Sequence, residues 1–273
     1  MSTNPYYDDN SKPIIRDSFC AYIDILGFSE RMKYSFQKGR ELKLFNKIFS
    51  AIDSNVNIFK PTFPKLIKKE SLFIKIFTDN IVIGYPVESS EAEYEFGSLI
   101  TLISYFQISM TLEGLFIRGA IVRGPLFMNE NIVFGTSIID AYNLESRFSS
   151  VPRIILSEEV FNLVKSHLRF YPDSKYSPQH QDILIDNDGF AYLNYLTNLD
   201  PEYLYWDMVR KHKKYIEYNL RKQINTPHIW YKYFWTANYH NYFVKGYNNY
   251  PGYDDKYLVD SVLLQNEPKR ISN

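Results

Sequence analysis

The chain has 273 residues, no formal net charge from 31 basic and 31 acidic side chains, and a single cysteine, Cys20. That length builds one large domain or a domain with an extension. The balanced charge offers no global field for a polyanion, and one cysteine excludes an internal disulfide framework or a cysteine-based zinc cluster.

Residues 1–16 are rich in Asn, Asp, Ser and Pro and are expected to form a flexible arm without an apolar signal core. No stretch approaches the ~20 apolar residues that span a bilayer. The expected setting is therefore a reducing cytoplasm, with neither membrane nor nucleic acid as partner. Residues 18–28, SFCAYIDILGF, are almost continuously apolar and bounded by turn signals, which predicts a buried strand. Ser29 is expected to cap a helix reaching about Asn55, with Met32, Phe36, Leu42, Phe45, Ile48 and Phe49 near a helical period and an interruption at Gly39. FKPTFPKLIKKE at 59–70 is a basic, proline-broken connection.

SLFIKIFTDNIVIGYPV at 71–87 predicts a hairpin with Thr78, Asp79 and Asn80 at its turn. Ser89 or Ser90 is the expected cap of a second long helix through Thr111. A strand pair over 115–134, punctuated by Gly119, Gly124 and Pro125, follows, and then a helix over 136–148. RIIL at 153–156 reads as a short strand and Ser157 as the cap of the next helix. Gly189 separates two further short strands. Asp200 with Pro201, and Thr226 with Pro227, mark helix starts in an ending dense in aromatic residues. The expected organisation is the arm, a catalytic domain over 17–199 and an aromatic helical extension over 200–273. The order of elements predicts an α/β (α+β) fold with a mixed sheet under helices.

Two carboxylates, Asp24 and Asp79, interrupt apolar strands, where an unpaired charge is costly to bury. Neighbouring antiparallel strands would bring them within reach of one divalent cation. The turn into the helix at Gly27, Phe28 and Ser29 would offer backbone N–H groups to a phosphate. Tyr22 lies two residues before Asp24 and so on the same face of the strand. His167, His180, His212, His228 and His240 show no metal-ligand spacing, and no chemical role is expected of them.

Four segments, YIDILGFS at 22–29, KIFTDN at 75–80, IRGAIVRG at 117–124 and FGTSIIDAYNLES at 134–146, together resemble the catalytic domain of class III nucleotidyl cyclases. Within that group the chain looks most like the bacterial pyrimidine cyclases of the Pycsar antiphage system. The resemblance implies a ferredoxin-like domain and a homodimer with sites between subunits. It also implies two Mn²⁺ or Mg²⁺ ions held by Asp24, Asp79 and the carbonyl of Ile25. Lys75 matches the base-reading lysine, but its acidic partner aligns with Ile132. The transition-state Asn and Arg of purine cyclases align with Ile139 and Asn143, which leaves Arg118, Arg123 and Arg147 as the nearest replacements. A pyrimidine nucleoside triphosphate, UTP or CTP, is the implied substrate, with a separate effector protein sensing the cyclic product. A cyclase-like sensor that binds nucleotide without turnover is the alternative that these departures keep open.

Overall fold

The computed structural model describes residues 4–62, 72–198 and 206–264, with backbone only over 52–62. The chain divides into two compact units, residues 1–198 and 199–273. The first begins with β1 (Arg16–Ile25), α1 (Phe28–Gln37), α2 (Glu41–Thr62), β2 (Phe73–Phe77), β3 (Asn80–Pro86), α3 (Glu93–Leu112) and β4 (Ile117–Met128). β1 pairs antiparallel with β3 on one side and β4 on the other, and β2 lies outside β3. This is the split βαβ arrangement of a ferredoxin-like core. β5 (Val133–Phe134) folds back on β4, α4 (Thr136–Phe148) follows, and β6 (Ile154–Leu156) adds parallel to β4. After α5 (Glu158–His167) and α6 (Pro178–Asp182), β7 (Ile183–Ile185) and β8 (Ala191–Leu193) complete the order β2-β3-β1-β4-β6-β8-β7. The unit is α+β with a mainly antiparallel sheet, the class that the pattern of elements predicts.

Strand alternation explains why β1 reads as an unbroken apolar run. Phe19, Ala21, Ile23 and Ile25 point to one face and are buried against Phe96, Leu99 and Ile103 of α3 and Ile48 and Ala51 of α2. Cys20 and Tyr22 point to the other face, into a smaller core with Tyr6, Val82, Val122, Leu126 and Ala141 of α4. Burial pushes the Cys20 thiol up to about 12, so it stays a neutral, packed side chain. Gly119 permits the close approach of β4 to β1, because a Cβ there would stand 2.6 Å from the Tyr22 carbonyl oxygen.

Several expectations are corrected. In place of a flexible arm, Tyr6 is fully buried, its hydroxyl 3.0 Å from Ser18 Oγ, and Asn4 Nδ2 donates to the Met128 carbonyl at 3.2 Å. Gly27, not Ser29, precedes α1 as its cap; its left-handed φ of 71° makes the turn, and Ser29 is exposed within the first turn. The helix does break at Gly39, with φ 60°. α3 starts at Glu93 rather than near Ser90, because the Glu95 carboxylate reaches back to accept from the Glu88 and Ser89 N–H groups and holds that turn outside the helix. β4 runs through Gly119, Gly124 and Pro125 as one strand of 12 residues.

The second unit contains α7 (Trp206–Lys222) and α8 (Pro227–Gly246). Pro227 opens α8 as expected, although the Thr226 side chain makes no capping hydrogen bond. The expected start at Asp200 and Pro201 lies outside the described residues. Trp206 stacks on Tyr257 at 4.6 Å, and Trp230 with Phe234 and Trp235 with Tyr239 stack at helical spacing.

Candidate functional site

The register of β2, β3, β1 and β4 places Phe77, Asn80, Asp24 and Arg118 side by side in one row. Residues directly opposite in antiparallel pairs share a face, so this row lies on the face of Tyr22, away from the main core. Lys75, Val82, Tyr22 and Ala120 form the next row on that face. The hairpin turn is stitched to the end of β1, where the Ile25 N–H donates to the Asp79 carbonyl at 3.1 Å. Asp79 Oδ1 accepts from Thr78 Oγ1 at 2.9 Å and Asn80 Nδ2 at 3.2 Å, and Asn80 Oδ1 accepts from the Tyr22 hydroxyl.

Arg118 stands at the centre. Its Nε donates to Asp24 Oδ2 at 2.9 Å and lies 2.8 Å from Glu145 Oε1, while Nη1 donates to the Ser149 carbonyl at 3.0 Å. Glu145 is buried by the packing of α4 on the sheet, whereas Arg118 and Asp24 retain 23% and 18% side-chain exposure and stay open to a ligand. The Tyr22 ring meets Tyr142 of α4 edge-on at 5.4 Å. Its hydroxyl is pushed up to about 12, first by burial and then by Glu145, Asp24, Tyr142 and Asp79. The phenol thus remains a proton donor at neutral pH, and the nearby negative charge of both predicted aspartates acts on it.

The structure brings Tyr22, Asp24, Asp79 and Arg118 to one strand end. Lys75 is half-buried on the same face, one row away and on the outer strand β2. Phe28 packs its ring toward the main core and leaves only its backbone for a ligand. Asn143 and Arg147 are not gathered into the cluster. Each lies two residues from Glu145, about 200° around the helix, and Arg147 is exposed on the outer side of α4 with Ile139. Sequence reasoning misses Glu145 and Asn80. The available signal is the spacing Ser137, Ala141, Glu145, two small residues and a carboxylate on one helical stripe, all buried.

Two carboxylates and the Ile25 backbone are hard oxygen donors of the kind that hold Mg²⁺ or Mn²⁺. Among the described residues no cluster of three or more His, Cys, Asp or Glu side chains is arranged to hold a metal alone. The donor set suits an ion whose remaining positions are filled by substrate oxygens.

No family model and no curated protein matches the sequence. Among solved structures, the chain is similar to the guanylyl cyclase domain of the RhoGC fusion protein from the aquatic fungus Blastocladiella emersonii. That match has 15% identity and a TM-score of 0.38, covering 65% of this chain and 93% of that one. It is also similar to the catalytic core of a rhodopsin-guanylyl cyclase with converted specificity in complex with ATPαS, at 14% identity and a TM-score of 0.40, covering 66% and 95%. A class III adenylyl cyclase-like ATP-binding protein from Pseudomonas aeruginosa matches at 11% identity and a TM-score of 0.37, covering 57% and 37%.

Proposed function

We propose that this chain is a metal-dependent pyrimidine nucleotide cyclase. It would convert UTP or CTP to the 3′,5′-cyclic monophosphate and pyrophosphate, as a second messenger in antiphage defence that a separate effector protein senses. The observation that carries the reading is the convergence of Asp24, the Asp79 turn, Tyr22 and Arg118 on one open strand end. The four cyclase-like sequence segments meet in the same place, since each contributes a residue to that end or to α4 above it.

Two Mg²⁺ or Mn²⁺ ions held by Asp24, Asp79 and the Ile25 carbonyl would acidify the ribose 3′-hydroxyl and offset the charge of the leaving pyrophosphate. In the reaction the 3′-oxygen attacks the α-phosphorus, its proton passes to solvent, and the bond to the bridging oxygen breaks. Arg118 supplies a guanidinium to the triphosphate once it exchanges Asp24 for phosphate oxygens. Glu145 and Ser149 hold that guanidinium in place. Backbone N–H groups at Phe28 and Ser29 face no intrahelical carbonyl and serve as phosphate donors. Lys75, on the face of Tyr22, reads the base edge.

Ile132 supports a pyrimidine, since it is exposed in the turn between β4 and β5 and offers no acid to a purine amine. Asn143 and Arg147 lie on the outer side of α4 and act on the site of a second copy in a homodimer. The sensor reading draws on the 60% exposed Ile139 and on the Arg118 contact with Asp24, which leaves that carboxylate satisfied without metal.

Incubation with each of ATP, GTP, CTP and UTP and Mn²⁺ or Mg²⁺, with product identified by mass spectrometry, separates the readings. Cyclic UMP or cyclic CMP, lost in Asp24→Ala, is expected. Cyclic AMP alone, or no cyclic product, overturns the proposal. Nucleotide-induced thermal stabilisation without pyrophosphate release establishes the sensor.

A further inference from the structure

α2 carries two apolar stripes where its place in the fold requires one. Leu44, Ile48 and Ala51 face inward and pack on the main core. Leu42, Phe45 and Phe49, spaced i, i+3 and i+7, face outward, with Leu42 71% and Phe45 59% exposed and the two rings stacked at 5.7 Å. Tyr34 and Phe36 of α1 are also more than half exposed, but two residues apart they point to opposite sides of that helix and do not form one surface. Exposed apolar side chains scattered singly are ordinary, but Leu42, Phe45 and Phe49 on one helical face, two of them with stacked rings, form a patch of the kind that marks an interaction surface.

The charge around the patch is predominantly positive. Lys33, Lys38, Arg40 and Lys43 are exposed beside it, against the exposed carboxylate of Glu30 and the half-buried one of Glu41. In the sequence, residues 30–70 hold ten of the 31 basic residues and four of the 31 acidic ones, so the remainder of a neutral chain is acidic. Basic side chains bordering Phe and Leu on an exposed helical face are the composition of an interfacial helix. Such a helix lies in the headgroup region with its apolar stripe among acyl chains. Among the described residues no helix is long and apolar enough to cross a membrane, which is a separate property.

We propose that the α1–α2 face docks on an anionic lipid surface. Leu42, Phe45 and Phe49 enter the acyl boundary, and the surrounding lysines and Arg40 meet lipid phosphates. A second copy docked by the same face would set four cations against four, which opposes symmetric pairing. A nucleic acid would meet the cations but offers no apolar medium for Leu42. The inference is independent of the proposed catalysis.

The test is co-sedimentation of the full chain with vesicles of equal parts phosphatidylglycerol and phosphatidylcholine, against pure phosphatidylcholine. Binding to the anionic vesicles alone is expected, weakened by salt and reduced at least about tenfold in both Phe45→Ser/Phe49→Ser and Lys38→Glu/Arg40→Glu/Lys43→Glu. Far-UV circular dichroism and the melting temperature should stay as in the parent, because the altered side chains are exposed. Should the charge variant fail to fold, the salt titration of the parent and the Phe pair carry the test. The proposal is overturned by no sedimentation, by equal binding to neutral vesicles, or by binding that neither variant weakens. It is also overturned if the Phe pair abolishes self-association in lipid-free solution, or if oligonucleotides bind while vesicles do not.

Discussion

Two arginines of the first unit are each held between two carboxylates, yet the origin of those carboxylates differs. Arg153 is 2% exposed and donates to Asp186 and Asp188, both from the short turn between β7 and β8, with Tyr192 at 5.9 Å from its guanidinium. Arg118 takes one partner from β1 and one from α4 and remains partly open. The two are joined through one residue. Ser149 gives its carbonyl to Arg118 and its hydroxyl to the Arg153 carbonyl at 2.8 Å. A cation fixed by one turn staples that turn. A cation that bridges two elements at an open strand end can trade a carboxylate for a ligand.

The comparison is broken most severely at Arg153. Arg153→Ala strands two aspartates at a site built for their pairing, and breaking a buried ion pair costs ~3 kcal/mol at the low end, the end set by the half-exposed Asp188. For a unit of this size the melting temperature should fall by roughly 8 °C. Asp186→Asn/Asp188→Asn in the same background should recover part of it. A melting temperature within a degree or so of the parent would mean that the staple is idle.

Arg118→Gln is the smaller loss in stability and the larger one in chemistry. It removes the cation beside buried Glu145, at about 2 kcal/mol, and Arg118→Gln/Glu145→Gln should restore most of that. Activity should drop by about a hundredfold in both, as for loss of one preorganised donor to developing charge. If the double variant regains activity together with stability, Arg118 acts only as a strut and the two arginines are alike.

How far each cluster is legible in the sequence follows from what marks it. Asp24 and Asp79 stand out because a carboxylate inside an apolar run has no local explanation, and the strand register needed to join them is short. Glu145 does not stand out, since α4 carries polar residues all around and only its packing across the sheet decides which of them is buried. Arg147 is conspicuous for the opposite reason; it lies one helical turn after Asn143, and that spacing gives no sign that both face away from Asp24. The arm is misread because Tyr6 and Tyr7 are the two aromatics of an otherwise polar segment, and the burial of Tyr6 depends on Ser18 and Phe127, outside that segment. Gly27 and Gly39, which act locally, are legible as turns.

The histidine pair of the second unit supplies the neutral counterpart to both arginine clusters, and the smallest effect. His212 and His240 are buried with their Nδ1 atoms 2.8 Å apart, and His240 Nε2 lies 2.9 Å from the Tyr257 carbonyl. A carbonyl only accepts, so His240 carries its proton on Nε2 and accepts at Nδ1 from His212. Burial pushes both imidazoles down. His240 falls to about 4, with the Tyr257 hydrogen bond opposing the shift and nearby Lys213 adding to it, and His212 falls well below its ordinary value through burial and His240. Because the folded values are depressed, the unfolded chain binds protons first as pH falls through about 6.5. The stability contribution is therefore complete above that pH and is lost below it. Lowering pH from about 7 to 6 should cost the second unit on the order of 1 kcal/mol, in a range where carboxylates do not titrate. All three tryptophans of the chain, Trp206, Trp230 and Trp235, lie in this unit, so their fluorescence during denaturant unfolding reads it alone. His212→Gln/His240→Gln should flatten the dependence. A slope that survives in that variant places the proton elsewhere and leaves the pair as packing, unlike the two arginine clusters, where charge is held between carboxylates.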